Sequence, residues 1–477
     1  MPNKALPACL LVWMITAAGS STAYTLTEAV QRALNTNPEV LAETSQYLSR
    51  KQELEAVRSG YLPRVDISAG IGYERSDNNN TRSQGFDDRE LTRKEAGVFV
   101  DQMLFDGFAV RNEVARQDAR IRAQQYTLAG SSEQIALQAI DAYFKVLLSR
   151  KLVALSNDNL SVHDKILDQV RLRTRAGVGR SSDLEQVTGR RAAAVSSLLA
   201  DQVNLQDAES GFISVVGDLP RDLAPAADKV AGLPDNLDAA VRKGLDNHPT
   251  LKSAEADVEA AKAQNEAARN GFYPKFNLEL GGTWNDDIDG VEGRDHDLSA
   301  MIRMRYNLFS GGRDQARYRQ TAELINQSKD VRTLTRRQVV ESMRLSWSAY
   351  QVTGDQLAYQ RRHISATEYT RDAYAEQFRL GQRTLLDLLN TENEVFQARR
   401  SYQTTRYDHL FAQYRILVAM GALIETLGVS APSGETDRGA INAQFGEIET
   451  QSALDAEIRA QRAHLHNFAP KSDAKGN

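Results

Sequence analysis

Pro63-Arg-Val-Asp-Ile-Ser-Ala-Gly-Ile-Gly-Tyr73 alternates apolar Val65, Ile67, Ala69, Ile71 and Tyr73 with Arg64, Asp66, Ser68, Gly70 and Gly72. A period of two marks a strand with two unlike faces. The pattern returns after Pro274, where Phe276, Leu278, Leu280 and Trp284 alternate with Asn277, Glu279, Gly281 and Thr283. It returns again where Leu298, Ala300, Ile302, Met304, Tyr306 and Leu308 alternate with Ser299, Arg303, Arg305 and Asn307. Residues 96–105 carry it less cleanly. The expected strands are therefore about 63–73, 96–105, 274–284 and 298–309. Runs of about ten residues with one apolar face, one charged face and a terminal aromatic fit outer-membrane barrel strands. A half-buried soluble sheet alternates in the same way. Two details favour lipid. Tyr73 and Trp284 take the same repeat position at a strand end, as in an interfacial girdle, and segments 74–95 and 285–297 are hydrophilic, as outer loops would be. Four strands cannot close a barrel, and open edges are not tolerated in lipid, so several chains must close it together. Two chains would give eight strands and a filled interior; three would give twelve and room for a pore. Arg64, Asp66, Glu279, Arg303 and Arg305 on the inner face favour the larger number.

These strands sit inside an internal duplication. Leu26-Thr-Glu-Ala-Val-Gln-Arg-Ala-Leu34 lies over Leu237-Asp-Ala-Ala-Val-Arg-Lys-Gly-Leu245, and Pro38 over Pro249, at an offset of 211. Gly60-Tyr-Leu-Pro63 and Gly271-Phe-Tyr-Pro274 share that offset. Leu104-Phe-Asp-Gly107 matches Leu308-Phe-Ser-Gly311 at 204, as Gly177 and Asp183 match Gly381 and Asp387. The reading is a first repeat over 24–219, a linker over 220–234, a second repeat over 235–427 and a polar tail over 428–477. Each repeat carries helices, two strands, then two very long helices. Leu389, Phe396, Leu410, Leu417 and Ile424 fall on one seven-residue series, the signature of coiled-coil packing. Residues 109–173 contain no breaker stronger than Gly130, so one helix there would be a rod of roughly 100 Å. Helices of that kind suit a solvated stalk or the wall of a tunnel; the strands favour the tunnel.

The chain has 477 residues, 41% hydrophobic and 25% charged, with a net charge of −5. Its mean hydropathy of −0.47 excludes a helical-bundle membrane protein. No basic excess is available to hold a nucleic-acid backbone, so no nucleic-acid partner is expected. Residues 1–23 read as an export leader: Lys4, an apolar stretch over 5–18, then Ser21-Thr-Ala23 at the cleavage site. The only cysteine, Cys9, lies in that leader, ahead of the place a lipid-acceptor cysteine would occupy. Disulfides, thiolate catalysis and cysteine-based zinc sites are thereby excluded from the mature chain. His464 and His466 in the tail read as solvated, and Asp286, Asp287, Asp289 and Glu292 as a solvated loop. No nucleophile–base pair, metal motif or phosphate-binding glycine loop is present, and neither a cofactor nor an enzymatic activity is expected.

The duplicated plan, the Gly-x-x-Pro strand entries, the Leu-Phe-[Asp/Ser]-Gly exits and Gly381-Gln-Arg-Thr-Leu-Leu-Asp387 together resemble the TolC family of outer-membrane channel-tunnels over residues 24–427. The resemblance implies a mixed α and β membrane protein. It would be a homotrimer with a twelve-stranded outer-membrane barrel, continued by a long periplasmic coiled-coil barrel. Implied partners are outer-membrane lipid, a periplasmic adaptor protein and an inner-membrane ABC or other transporter. The implied function is the exit duct of a tripartite export machine. Type I protein secretion is the favoured form, because a mature chain without cysteine or lipid, and with a tail, resembles secretion partners more than lipoprotein efflux channels. A multidrug efflux channel is the alternative, and a periplasmic coiled coil without a pore a more distant one. The family's periplasmic aperture maps onto Phe378, Arg383, Asp387 and Asn390, with Ser182 and Asp183 as first-repeat partners. Asp183 and Arg383 are then expected to pair as a latch, and Asp387 to form an acidic ring. Phe378 replaces a tyrosine and Asn390 an aspartate, so one closing link and one carboxylate are missing. The alternative for Asp183 and Asp387 is helix N-capping or a first-turn charge, and the gate is the favoured reading. The basic cluster Arg171, Arg173, Arg175 and Arg180 would face the adaptor or bridge neighbouring helices.

Overall fold

The computed structural model describes residues 23–431. The residues before Ala23, where the export leader and Cys9 are expected, and those from 432 on, with His464 and His466, lie outside the described residues.

The first repeat opens with α1 (Leu26–Thr36) and α2 (Pro38–Arg58), followed by strand β1 (Arg64–Ser76). A one-turn helix α3 (Asn79–Ser83) leads to β2 (Arg89–Phe105). Two long helices follow, α4 (Ala109–Arg175) and α5 (Ser181–Val216). The second repeat runs through α6 (Leu237–Asn247), α7 (Pro249–Ala267), β3 (Lys275–Ile288) and β4 (Val291–Arg305). It ends with α8 (Arg313–Arg379), α9 (Leu385–Met420) and the short α10 (Leu423–Leu427). Helices α4 and α8 have 67 residues each, and α5 and α9 have 36 each. At 1.5 Å per residue the longer pair are rods of about 100 Å.

Local chemistry sets the boundaries. Thr25 and Glu28 form a reciprocal capping box at α1, and Asn37 caps α2 ahead of Pro38. Asp106 of the Leu-Phe-Asp-Gly exit accepts the free N–H groups of Ala109 (3.0 Å) and Val110 (2.7 Å), which starts α4. Gly107 beside it takes φ +74°, and a Cβ there would stand 2.9 Å from the Tyr273 Cβ, so the exit turn needs glycine.

The four strands form one antiparallel sheet in chain order. Its register puts Val65, Ile67, Ile71, Leu298, Ile302 and Met304, all exposed, on one face. Arg64, Asp66, Glu279, Arg303 and Arg305 stand together on the other. The ladder is longer at the outer end than hydrophobicity suggests. The 285–297 connection shrinks to Asp289-Gly290, both at positive φ, and β2 begins at Arg89. Polar residues there are paired strand to strand, Arg93 with Glu74 at 2.9 Å and Lys94 with Asp286 at 3.3 Å. Hydrophilicity marked solvent, not loop. At the other end β4 stops at Arg305 and not at 309. Trp284 pairs with Ala96, which pairs with Ala69, four residues short of Tyr73, so the two aromatics do not share a rung. The unclean pattern of 96–105 has two sources. Phe99 and Met103 stand on the charged face, and a register shift between Met103 and Phe105 turns Phe105 to the apolar side, opposite Phe276.

The main core lies around the middle of α4, where α1 and the end of α9 pack on it, and α6 joins the same core through α8 and α9. The Tyr143 hydroxyl lies 2.9 Å from the Tyr24 carbonyl oxygen and 2.7 Å from that of Ala224, tying the start of the fold to the inter-repeat segment. A second, smaller core of Ile166, Leu167, Val170, Val187, Phe378, Leu385, Leu388 and Leu389 lies where α4 turns into α5 and α8 into α9.

Candidate functional site

Both helical turnovers are built alike. Gly177 and Gly381 take φ +78° and +75°, and the following N–H groups close onto Arg173 and Gln377 carbonyls at 3.0 and 2.9 Å. This is the helix-ending geometry that only glycine adopts without strain. Asp183 and Asp387 then sit in the first turns of α5 and α9. The Asp387 N–H is capped by the Thr384 hydroxyl, which also donates to the Asp387 carboxylate at 2.9 Å. Ser182 is exposed beside Asp183.

The expected Asp183–Arg383 pair is not formed within one chain. The Arg383 guanidinium lies 4.3 Å over the Tyr374 ring, its Nε donates to Gln377 at 3.0 Å, and its Nη1 stands 3.8 Å from Asp387. The reason is local: Arg383 precedes the cap of α9, so its side chain folds back on the last turns of α8. Two other contacts join the repeats instead. Arg173 lies 4.7 Å over the ring of Phe378, which is only 7% exposed, and donates to the Arg379 carbonyl at 3.4 Å. Arg190 donates to Asn390 at 3.0 Å. Asn390, expected to leave the aperture one carboxylate short, thus accepts a hydrogen bond from the first repeat. His163, buried near this contact, has its pKa lowered, first by burial and then by Arg190. Arg173 belonged to the basic cluster visible in sequence; that it covers Phe378 was not legible there, since the two are far apart along the chain.

At the opposite end, Glu279 binds Arg303 (2.7 Å) and Arg305 (2.8 Å), and Arg64 binds Asp66 (2.8 Å). Asn277 donates to Asp101 at 3.0 Å. The five charged residues expected together are on one face, each in an ion pair, with Glu279 shared by two arginines. Between the two ends, Asp201 of α5 is 3% exposed and accepts from Ser156 of α4 at 2.5 Å and from both Arg400 amino groups, at 2.5 and 3.0 Å. No sequence signal pointed to this cluster. Burial alone would raise the Asp201 pKa, but Arg400 and Ser156 outweigh it and lower it. The acidic residues Asp286, Asp289 and Glu292 are held by Lys94, Arg93 and Arg89. Among the described residues no helix is long and apolar enough to cross a membrane, and no group of three or more potential ligands could hold a metal.

The model of the outer membrane efflux protein family matches residues 29–218 and again 240–422. The chain is 26% identical over 400 residues to the outer membrane efflux protein BepC of Brucella suis, covering 84% of this chain and 86% of that one. It is 20% identical over 437 residues to the outer membrane protein TolC of Escherichia coli, covering 89% and 87%. It is 23% identical over 434 residues to the alkaline protease secretion protein AprF of Pseudomonas aeruginosa, covering 86% and 88%. Solved structures share the fold: CusC at a TM-score of 0.74 and 16% identity, covering 88% of this chain and 99% of that one. The CmeC outer membrane channel of Campylobacter jejuni superposes at 0.72 and 13% identity, covering 88% and 94%. Two matched repeats, a four-stranded sheet with unlike faces and paired helical rods make this an outer-membrane protein with a large periplasmic part. The chain belongs to the outer membrane efflux protein family.

Proposed function

We propose that three copies of this chain form the passive outer-membrane duct of a type I protein secretion machine. The observation that carries the duct is the sheet: four strands with free edges at β1 and β4, one face apolar and exposed, the other charged. Such a sheet is stable in lipid only when neighbouring copies complete it. Twelve strands then enclose a water-filled lumen lined by Arg64, Asp66, Glu279, Arg303 and Arg305. The rods continue the lumen through the periplasm to the tips, where an adaptor and an inner-membrane transporter would join. Arg173–Phe378 and Arg190–Asn390 hold the tips closed, with Ser182, Asp183, Arg383 and Asp387 bordering the aperture. Conduction of this kind involves no bond chemistry.

Two observations support secretion within the duct class. The sole cysteine lies at position 9, within the segment read as an export leader, and cleavage after that segment would remove it. AprF, named for protease secretion, matches along most of the chain. BepC, named an efflux protein, supports multidrug efflux as the second reading. Deleting the gene and comparing the culture supernatant proteome with drug sensitivity separates the two. Loss of one or a few large exported proteins, restored by the intact gene, supports secretion. Sensitivity to many drugs with an unchanged supernatant overturns it in favour of efflux. A protein that fails to fractionate with the outer membrane, or to migrate as a heat-modifiable trimer, overturns the duct.

A further inference from the structure

On the charged face one rung breaks the pattern. Asp66, Phe99, Gly281 and Ser299 lie side by side across the four strands, and the next rung outward is Ser68, Gly97, Thr283 and Asp297. Phe99 is the one bulky side chain on these two rungs. It is not buried: 42% of it is exposed, among side chains that on its own rung and the next one outward are all small or polar. A phenyl group facing water forfeits the stabilisation that burial would give it. A solvated sheet face offers no reason for it.

The two glycines explain its posture. Neither Gly97 nor Gly281 takes a positive φ, so neither backbone requires glycine. Glycine in a strand interior weakens the strand unless something approaches closely. A Cβ on Gly97 would stand 2.8 Å from the Phe99 Cε2, and one on Gly281 would stand 3.4 Å from its Cδ1. The ring therefore lies flat across its own strand and its cross-strand partner, with one π face on a glycine floor and the other toward the lumen. Met301, also exposed, stands on the adjoining rung toward the helices. A flat, pinned ring loses little conformational freedom when something stacks on it.

We propose that Phe99 is a contact site for aromatic side chains of an extended polypeptide in transit, one per chain and three around the lumen. This rests on the secretion-duct reading. The small and polar rung outward, and the charged Arg64, Asp101 and Glu279 beside Met301 on the rung toward the helices, leave little other apolar surface on this face, so the site holds a passing side chain briefly and does not trap the whole segment. A stacked aromatic pair adds modestly to simple burial, which suits a site that must also let go.

The test uses the purified full-length trimer in planar bilayers, with two synthetic peptides of equal length and charge as probes. One carries phenylalanine at alternate positions and the other serine at the same places. The variants are Phe99→Leu, which keeps a cover over the glycines, Phe99→Ser, which removes it, and Phe99→Tyr, which keeps the ring. The expected result is a phenylalanine-peptide residence time about three- to tenfold shorter in Phe99→Leu and Phe99→Ser. Phe99→Tyr should match the wild type, and the serine peptide should respond to none of them. Residence times that are equal across the variants, or that change equally for both peptides, overturn the proposal. If Phe99→Ser fails to assemble, the Leu and Tyr variants decide between contact site and mere cover for the glycines. A wild-type trimer with no conductance would instead overturn the duct itself.

Discussion

Phe378 brings no hydroxyl to the tip, as expected, and Arg173 from the other repeat is laid on its ring instead. A cation over an aromatic face contributes about 0.5–2 kcal/mol, more when desolvated, and Phe378 is buried. Arg173→Ala should therefore raise single-channel conductance and admit a large antibiotic, as should Arg190→Ala, which removes the bond to Asn390. Arg383→Ser should have the smaller effect, since Arg383 is engaged inside its own hairpin. Arg173→Ala combined with Phe378→Leu should be less than additive, because both remove one contact. If Arg383→Ser opens the channel and Arg173→Ala does not, the latch runs between chains through Arg383 and Asp183. A second buried group sets a pH response. Glu133 of α4 accepts the N–H groups of Leu423 (3.1 Å) and Ile424 (3.2 Å) at the start of α10. Burial pushes its pKa up to about 7 in spite of those bonds. The folded state thus holds this proton more tightly than the unfolded chain. Its stabilising contribution is complete below the ordinary glutamate range and is lost as pH rises through about 7. The contribution is at most about 3 kcal/mol. Wild-type melting temperature should fall between pH 5 and 8, and Glu133→Gln should flatten that fall. An equal slope in both proteins would remove Glu133 as its source.

Strand β4 tests the register that separates lipid from lumen. Ile302 is exposed on the apolar face, and Arg303 beside it is bound to Glu279. An arginine facing lipid near the midplane costs about 2–4 kcal/mol. Ile302→Arg should therefore reduce heat-modifiable trimer. Arg303→Ile should leave it near wild type, because Glu279 keeps Arg305 at 2.8 Å. Equal loss in both would mean that the two faces are reversed or the strand is not in lipid. The strands were legible because a period of two survives any tertiary context that buries one face. Their outer ends were not, because cross-strand ion pairs such as Arg93–Glu74 extend a ladder through residues that look like loop. The duplication was legible at residue level: offsets of 211 and 204 recur in the starts of β1 and β3 and of α4 and α8. The links between repeats were not. Arg173 with Phe378, and Asp201 with Arg400, join residues roughly 200 positions apart, and no local pattern announces a pairing at that distance.

The two repeats act as one body only if their rods are joined along their length, and the core around Tyr143 lies far from the tips. Between them, Asp201, Ser156 and Arg400 connect α5, α4 and α9. Because Asp201 is buried, removing its charge leaves Arg400 without its partner in a position 25% exposed. Breaking a buried ion pair costs about 3–5 kcal/mol, and this one should fall at the lower end because water reaches Arg400. Asp201→Ala should lower the melting temperature of the trimer and loosen the tips as well, since the rods would part above them. A charge-free replacement, Asp201→Leu with Arg400→Met, should recover most of the stability, because buried pairs can often be exchanged for packed apolar side chains. The pH dependence has the opposite sign to that of Glu133. The Asp201 pKa is lowered in the fold, so its contribution is present above the ordinary aspartate range and is lost as pH falls through the depressed value. Acid should therefore destabilise the wild type more than the double variant. The measurement is thermal unfolding of wild type, single and double variants at neutral and acid pH, with conductance recorded for each at neutral pH. A stable Asp201→Ala with wild-type conductance would show that the rods are held by their apolar seams alone. Wild-type conductance from a clearly destabilised Asp201→Ala would show that the joint stabilises the wall without reaching the gate.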